Sequence, residues 1–295
     1  MDSLTHALVA AILAYAAGFP QLLPFFVLGA VIIDADILFS VFSRDNPPLY
    51  LFVHGGIAHS LAGAVVMAAL AGAGIVIATL TGLIPPALSS GAGPAGAAAV
   101  LAGAFLHLAM DLPASPGIPL LAPFSDRKYA LFVLPGPSLI LMAESLFFLI
   151  WMALGVVTLA GGMAAYMAIF CAFLLVRAIA YGISRPAFRG AMLALPQPDP
   201  RHWLALYDRD EAWEAREYRI GKGYGVPEDW PKYRGTTAAE GAPFLALPEI
   251  QRLRYHSYLV TVEKKGGTLV FSDPLRLTGR IFYPPHYKQV RLDIP

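Results

Sequence analysis

The chain has 295 residues, of which 57% are hydrophobic and only 14% charged, and its mean hydropathy is +0.60. This composition excludes an ordinary soluble globular protein and predicts that much of the chain lies in lipid. The formal net charge of +1 hides an uneven distribution, because only six of the 21 Lys and Arg residues precede residue 190. We therefore predict a transmembrane domain over 1–189 and a soluble domain over 190–295.

The first domain consists of apolar segments separated by helix-stopping Gly and Pro residues. A helix needs about 20 apolar residues to cross the hydrocarbon core, and the first segment is shorter than that. The segments lie at about 4–18, 21–43, 57–84, 94–112, 138–160 and 162–184. They predict an all-α polytopic membrane domain with six membrane segments.

The positive charges of this domain predict its orientation, because loops rich in Lys and Arg stay in the cytoplasm. With six spans and a cytoplasmic N-terminus, Arg44, Arg127, Lys128 and Arg185 all fall in inner loops. The outer loops, at 18–21, 85–93 and 161–162, contain no Lys or Arg. We expect a multi-pass protein of the cell (inner) membrane with both termini in the cytoplasm.

The second domain reads as a soluble α+β or β-rich unit. Residues 258–272 alternate in polarity around Gly266 and Gly267, which is typical of a β-hairpin, and further strands are expected at 277–283 and 289–294. The 15 basic residues of this domain are balanced by 13 acidic ones. We therefore expect no nucleic-acid binding.

Ionisable residues within apolar segments are costly unless they are paired or bind a metal, so each one indicates a function. In the predicted topology most of these residues in the first domain fall at one depth, near the cytoplasmic ends of the segments. Residues from four separate segments would have no reason to lie at the same membrane depth unless they formed one site. The set is His6, Asp34, Asp36, His54, His59, His107 and Asp111.

The spacing of these residues indicates how they could bind a metal ion. His107 and Asp111 are four apart and share a helical face. Asp34 and Asp36 are two apart, so either the helix is broken there, or one binds metal while the other orients a histidine. Glu144, about two turns into the fifth segment from the same side, and Asp36 are candidate general bases.

The lone cysteine, Cys171, cannot form a thiolate cluster, so any metal must use imidazole and carboxylate ligands. This ligand set favours zinc and also suits manganese or iron. Four histidines and up to three carboxylates exceed one tetrahedral shell. We therefore expect one or two divalent ions.

The order of these motifs resembles a family of bacterial and archaeal membrane-bound metal-dependent hydrolases, the YdjM-like inner-membrane proteins. The matching stretches are MDSLTH (1–6), GAVIIDAD (29–36), HGGIAHS (54–60), HLAMD (107–111) and LLAPFS (120–125). The resemblance implies a metal role for the seven His and Asp residues. The chain departs from the family pattern at Gly55 and Ala58, where Arg and Thr are usual, and at Ile33, where Pro is usual.

Position and resemblance together predict a metal-dependent hydrolase at the cytoplasmic membrane face, acting on a lipid or another amphiphilic phosphoester. Arg127 and Lys128 are candidates for holding an anionic headgroup, and membrane lipids are the expected partners. One alternative is a non-enzymatic metal-binding transporter, sensor or assembly factor. Another is a purely structural metal that fixes the helices while the soluble domain binds a partner.

Overall fold

The computed structural model describes residues 1–83, 93–281 and 287–294. Part of the predicted outer loop at 85–93 lies outside these residues. The chain divides into two units. Unit 1 comprises Met1–Ser40, Phe52–Ile183 and Pro196–Pro200, and unit 2 comprises Val41–Leu51, Ser184–Leu195 and Arg201–Pro295.

Most of the first 184 residues are helical. The α-helices are α1 (Ser3–Ala16), α2 (Leu23–Ile32), α3 (Ser40–Ser43), α4 (Leu61–Leu80), α5 (Pro94–Asp111), α6 (Leu139–Ala153) and α7 (Leu159–Ser184). Short 3-10 helices lie at Pro20–Leu22, Ile33–Phe39, Pro47–Leu49, Ile57–His59 and Arg185–Phe188. Side-chain caps begin several α-helices: Asp2 accepts from Thr5 N at α1, and Ser60 accepts from Gly63 N at α4.

Four helical stretches in the described residues are long and apolar enough to span a membrane: Pro20–Ser43, Leu61–Leu80, Pro94–Asp111 and Leu159–Phe188. The prediction of six segments is not confirmed, because α1 and α6 have 14 and 15 residues. At 1.5 Å per residue they reach only about 21–23 Å of the roughly 30 Å core. The predicted segment 138–160 is interrupted at Gly155, whose positive φ of 67° ends α6 early.

Helices α2 and α5 pack against each other at very short range in unit 1. A Cβ placed on Gly29 would lie 1.9 Å from the carbonyl oxygen of Val100, and one on Gly103 would lie 2.1 Å from that of Phe26. Only glycine allows the two backbones to approach so closely. The core around this contact includes Phe25, Ile33, Ala58, Ala64, Met67, Ala99, Val100, Ala104, Leu108 and Ile118.

Unit 2 contains two β-sheets, so the prediction of a β-rich second domain is confirmed. The first sheet has the order β1-β2-β3-β4, and β5 also pairs with β3. The second has the order β6-β7-β8-β9. Their strands are β1 (Leu193–Pro196), β2 (His202–Asp208), β3 (Ala212–Arg219), β4 (Gly223–Tyr224), β5 (Glu228–Pro231), β6 (Tyr233–Arg234), β7 (Thr261–Lys265), β8 (Thr268–Ser272) and β9 (Gln289–Asp293).

The helical elements of the second domain are short. They are α8 (Ala238–Gly241), α9 (Pro248–His256) and α10 (Pro274–Leu277), with a 3-10 helix at Ala242–Ala246. The predicted hairpin is confirmed, since β7 and β8 pair antiparallel with Lys265 opposite Thr268. The predicted strand 277–283 is wrong over 277–281, because α10 runs to Leu277 and the chain turns at 278–280; residues 282 and 283 lie outside the described part.

Candidate metal centre

All seven His and Asp residues predicted to share a site lie in unit 1, on four different pieces of the chain. His6 comes from the first turns of α1, and His107 and Asp111 from the last turns of α5. Asp34 and Asp36 lie on the 3-10 helix Ile33–Phe39 that directly follows α2. His54 and His59 lie just before α4, and His59 ends the 3-10 helix Ile57–His59.

At the centre of the site two imidazoles point their Nε2 atoms at each other. The Nε2 atoms of His59 and His107 are 3.2 Å apart. Asp34 Oδ1 lies 3.5 Å from each of them. Asp111 Oδ2 lies 3.5 Å from His59 Nε2 and 3.3 Å from His107 Nε2. In a tetrahedral zinc site, two ligand atoms that each lie about 2.0–2.1 Å from the ion are roughly 3.3 Å apart. The separations between these nitrogen and oxygen atoms are close to that value.

The other ring nitrogens of this central pair are already engaged. His107 Nδ1 lies 2.6 Å from the backbone carbonyl oxygen of Ala30, and His59 Nδ1 lies 2.9 Å from Asp36 Oδ2. An Nδ1 that donates a proton leaves the lone pair on Nε2. With both Nδ1 atoms as donors, the neutral imidazoles would direct two lone pairs, beside two carboxylate oxygens, into a small buried volume that a cation would stabilise. The donor set thus fits a divalent metal.

Three groups of side chains among the described residues could hold a metal ion, each with its ligand atoms within 4.8 Å of one another. The groups are linked, because His107 and His59 each belong to two of them. They are His6, His107 and Asp111; Asp34, His59 and His107; and Asp36, His54 and His59.

Asp36 holds two of the imidazoles. Its Oδ1 lies 2.8 Å from His54 Nδ1, its Oδ2 lies 2.9 Å from His59 Nδ1, and Oδ2 also accepts a hydrogen bond from Gly55 N–H at 3.1 Å. The side chain is fully buried. Gly55 has a positive φ of 75°, which glycine adopts without strain. Of the two predicted alternatives, the break in the α-helix is observed, since α2 ends at Ile32 and both aspartates lie on a 3-10 helix; the orienting role of Asp36 stays a prediction that these contacts support.

A family model described as "YdjM inner membrane protein" matches residues 1–184. The chain belongs to the YdjM family. The matched region contains all seven clustered His and Asp residues and all four candidate spans reach into it. No curated protein and no solved structure matches the chain. Family membership and the apolar helices together make it a membrane protein.

In this YdjM-family chain, His6 completes the outer part of the cluster. Its ring stacks on that of His107, with centroids 3.9 Å apart and an angle of 16° between the planes. Its Nε2 lies 3.2 Å from Asp111 Oδ1 without the geometry of a hydrogen bond, and both ring nitrogens are buried and make no hydrogen bond. Buried nitrogens of this kind are unusual in proteins and are consistent with a ligand role.

Glu144 is not part of the three groups. It lies on α6, and both of its carboxylate oxygens are buried without a hydrogen-bond partner. The adjacent Ser145 joins three helices through its hydroxyl, which is 3.1 Å from Thr5 Oγ1 and 2.8 Å from the Tyr166 hydroxyl. The predicted role of Glu144 as a general base stays a prediction.

The structure adds N-terminal contacts that the sequence reasoning did not predict. The Ser3 hydroxyl donates a hydrogen bond to Asp34 Oδ2, and the nitrogen of Met1 contacts Asp111 Oδ1. Both residues belong to the MDSLTH stretch, in which only His6 was predicted to be part of the site. The MDSLTH motif was the signal that could have indicated Ser3, because a single serine three residues before a buried histidine does not by itself predict a site residue.

The accessible side of the cluster is at His54. Its side chain is 35% exposed, whereas those of Asp34 and Asp111 are 12% exposed and that of His107 is fully buried. The loop after α5 borders the chain near His59, because Leu120 O accepts a hydrogen bond from Leu61 N at 3.0 Å. Further along this loop, the exposed Arg127 lies over the ring of Tyr129.

Proposed function

We propose that this YdjM-family protein is a membrane-embedded, metal-dependent hydrolase that acts at the cytoplasmic face on an amphiphilic phosphoester substrate. The observation that carries the proposal is the central arrangement of His59 and His107, whose Nε2 atoms are 3.2 Å apart between two carboxylates. A sealed structural site needs no accessible edge, but this cluster has one at His54.

In the proposed site His59, His107, Asp34 and Asp111 would hold the ion, and His6 would add a donor beside Asp111. A divalent ion held there supplies Lewis acidity, which makes water a stronger nucleophile at neutral pH. Asp36 keeps both His54 and His59 in place through their Nδ1 atoms. Zinc is the metal that this set favours, with manganese and iron as the alternatives.

We propose His54 as the general base in place of the candidates Asp36 and Glu144, because Glu144 is in none of the three groups and Asp36 already binds two histidines. When its Nδ1 donates to Asp36, its Nε2 carries the lone pair that accepts a proton. The side chain of His54 is 35% exposed, so water can reach this imidazole. His54 would take a proton from the attacking water and later release it to bulk water, while the leaving alcohol oxygen, on the opposite side of the phosphorus, would take its proton from a water molecule as the P–O ester bond breaks. Both oxygens of Asp36 already accept hydrogen bonds, which supports an orienting role for that residue.

The apolar surroundings of His54 support an amphiphilic substrate. Phe52, two residues before His54, packs against Phe39 with ring centroids 6.2 Å apart. Leu38, two residues after Asp36, is largely exposed. A lipid chain can lie along such a surface while its phosphoester reaches the accessible imidazole. Arg127 and Lys128 remain our candidates for the headgroup.

Hydrolysis is tested with the full-length protein in nanodiscs, loaded with Zn²⁺ or Mn²⁺ and assayed on phospholipids and isoprenoid phosphates. We expect His54→Gln to lower kcat by at least about 100-fold, the contribution of a general base. The same variant should keep most of its bound metal, whereas His107→Ala should lose it. Metal-loaded wild type that is inert across the panel would reject the hydrolase proposal.

A non-enzymatic metal protein is the second candidate, because His6, His59 and His107 are all almost completely buried. Such burial suits an ion that is held permanently by a sensor or assembly factor. This alternative predicts stoichiometric, slowly exchanging metal and no product from any substrate in the panel. Radioactive ⁶⁵Zn²⁺ exchange, measured alongside the activity assay, separates the two candidates.

A further inference from the structure

Helix α9 (Pro248–His256) is fixed on one face by the second sheet of unit 2. Ile250 and Leu253 are fully buried and pack in a core with Val262, Leu269 and Phe271. A helix held by such a core has little freedom to shift. Any segment bound to its other face is therefore attached to a rigid support.

The other face of α9 binds the segment Val41–Leu51, which also belongs to unit 2. Arg252 Nη1 donates to the backbone carbonyl oxygen of Arg44 at 3.2 Å and lies 3.5 Å from that of Ser43. Its guanidinium also lies over the ring of Tyr287, 4.4 Å from the centroid. Tyr255 packs against Tyr50, with ring centroids 5.3 Å apart.

The carbonyl groups bound by Arg252 are at the end of a helical stretch that carries part of the metal cluster. The 3-10 helix Ile33–Phe39 contains Asp34 and Asp36 and continues directly into α3, which ends at Ser43. A cation at the C-terminal end of a helix stabilises it through the last carbonyl groups and the helix dipole. Arg252 therefore caps the stretch that holds both aspartates.

The same segment leads on to the accessible imidazole. Leu51 ends the part of the chain assigned to unit 2, and His54 follows three residues later. Residues 41–51 thus connect the aspartates to the histidine that Asp36 binds through Nδ1. Both ends of this connection carry members of the cluster, and its middle is held by α9.

We infer that the C-terminal domain controls the metal affinity of the membrane-embedded cluster by holding residues 41–51, with Arg252 as the positioning residue. Arg252 touches neither ion nor substrate; it fixes the end of the helical stretch that presents Asp34 and Asp36. Loss of this cap lets the stretch fray and loosens the spacing between the aspartates and His54. This inference rests on the metal binding that is part of the proposed function.

The test measures Zn²⁺ and Mn²⁺ affinity by competition with a chromogenic chelator, using the full chain in nanodiscs. We expect Arg252→Gln to weaken metal binding by about fivefold, within the range of remote coupling effects. Arg252→Lys should restore most of the affinity, because an ammonium group can still donate to the carbonyls. Arg254→Gln is the matched control, since Arg254 is an exposed arginine on the same helix, and it should bind as wild type does.

A second variant distinguishes loss of the contact with residues 41–51 from unfolding of the C-terminal domain. Tyr50→Ala changes the held segment and leaves the core of α9 intact, and it should weaken metal binding in the same direction. Equal affinity in wild type, Arg252→Gln and Tyr50→Ala would overturn the inference while leaving the metal site in place. A wild type that binds no metal would overturn both, and metal binding without hydrolysis would reject only the enzyme proposal.

Discussion

Asp36 contacts two histidines of the cluster, so its substitution tests whether it orients them for metal binding. Asp36→Asn replaces one acceptor oxygen by an amide donor, so at most one of the two imidazole Nδ1 atoms keeps its partner. We expect metal affinity to fall by about 10–100-fold, the usual effect of removing such a partner. Competition with a chelator measures it.

Asp210→Asn is the control for this change, because Asp210 is an exposed aspartate outside the cluster and outside residues 41–51. It removes the same charge and should leave metal affinity unchanged. Similar losses in both variants would mean that total charge, and not orientation of the histidines, determines binding. An unchanged affinity in Asp36→Asn would remove Asp36 from the site altogether.

At the residue scale, the sequence predicted which side chains would meet but not what each would do. The i, i+4 spacing placed His107 and Asp111 on one face, and their Nε2 and Oδ2 atoms are 3.3 Å apart. The division of labour between Asp34 and Asp36 could not be predicted, because it depends on the 3-10 geometry of Ile33–Phe39. Ser3 was missed because hydroxyls near helix starts usually serve as caps.

At the scale of elements, the contact between α2 and α5 controls both stability and the position of His107. Gly29→Ala would place a Cβ 1.9 Å from Val100 O, so the helices must separate. We expect a loss of about 1–3 kcal/mol in the free energy of unfolding, as is typical of overpacking. Because His107 Nδ1 bonds Ala30 O, metal binding should weaken as well.

The matched control is Gly72→Ala on α4, where an added Cβ meets nothing within 4 Å. Thermal unfolding in detergent, with and without metal, compares the two variants. Gly72→Ala should unfold at or slightly above the wild-type temperature, since alanine favours helix more than glycine does. Equal behaviour of the two variants would show that α2 and α5 do not pack as described.

Helices and strands were predictable where local patterning and tertiary contacts agree. The hairpin of β7 and β8 follows from its alternation and its Gly266–Gly267 turn. The strand expected at 277–283 is wrong over its first five residues, because Asp273 caps α10, which runs to Leu277, and the chain then turns at 278–280. Six membrane segments are not confirmed, because hydropathy locates apolar residues but does not show where a positive-φ glycine such as Gly155 ends a helix.

For the whole molecule, a bound ion should contribute to stability, because a ligand that binds only the folded state raises the free energy of unfolding. Removal of metal by a chelator should lower the unfolding temperature of the wild type, and adding back Zn²⁺ or Mn²⁺ should restore it. His107→Ala should respond to neither treatment. If a chelator left the unfolding temperature of the wild type unchanged, the cluster would be stabilised by a proton on one imidazole instead of by a metal.

The orientation of the whole chain in the membrane is predicted by the absence of Lys and Arg from the outer loops, with both termini in the cytoplasm. Single cysteines, introduced in a Cys171→Ala background, test it by labelling with a membrane-impermeant maleimide. Thr81→Cys, in the exposed turn after α4, should be labelled from the periplasmic side, once the outer membrane is permeable. Lys222→Cys, in an exposed turn of the C-terminal domain, should react only after the inner membrane is opened as well. The reverse pattern would move the accessible edge at His54 to the opposite face, and with it the substrate pool that the cluster could reach.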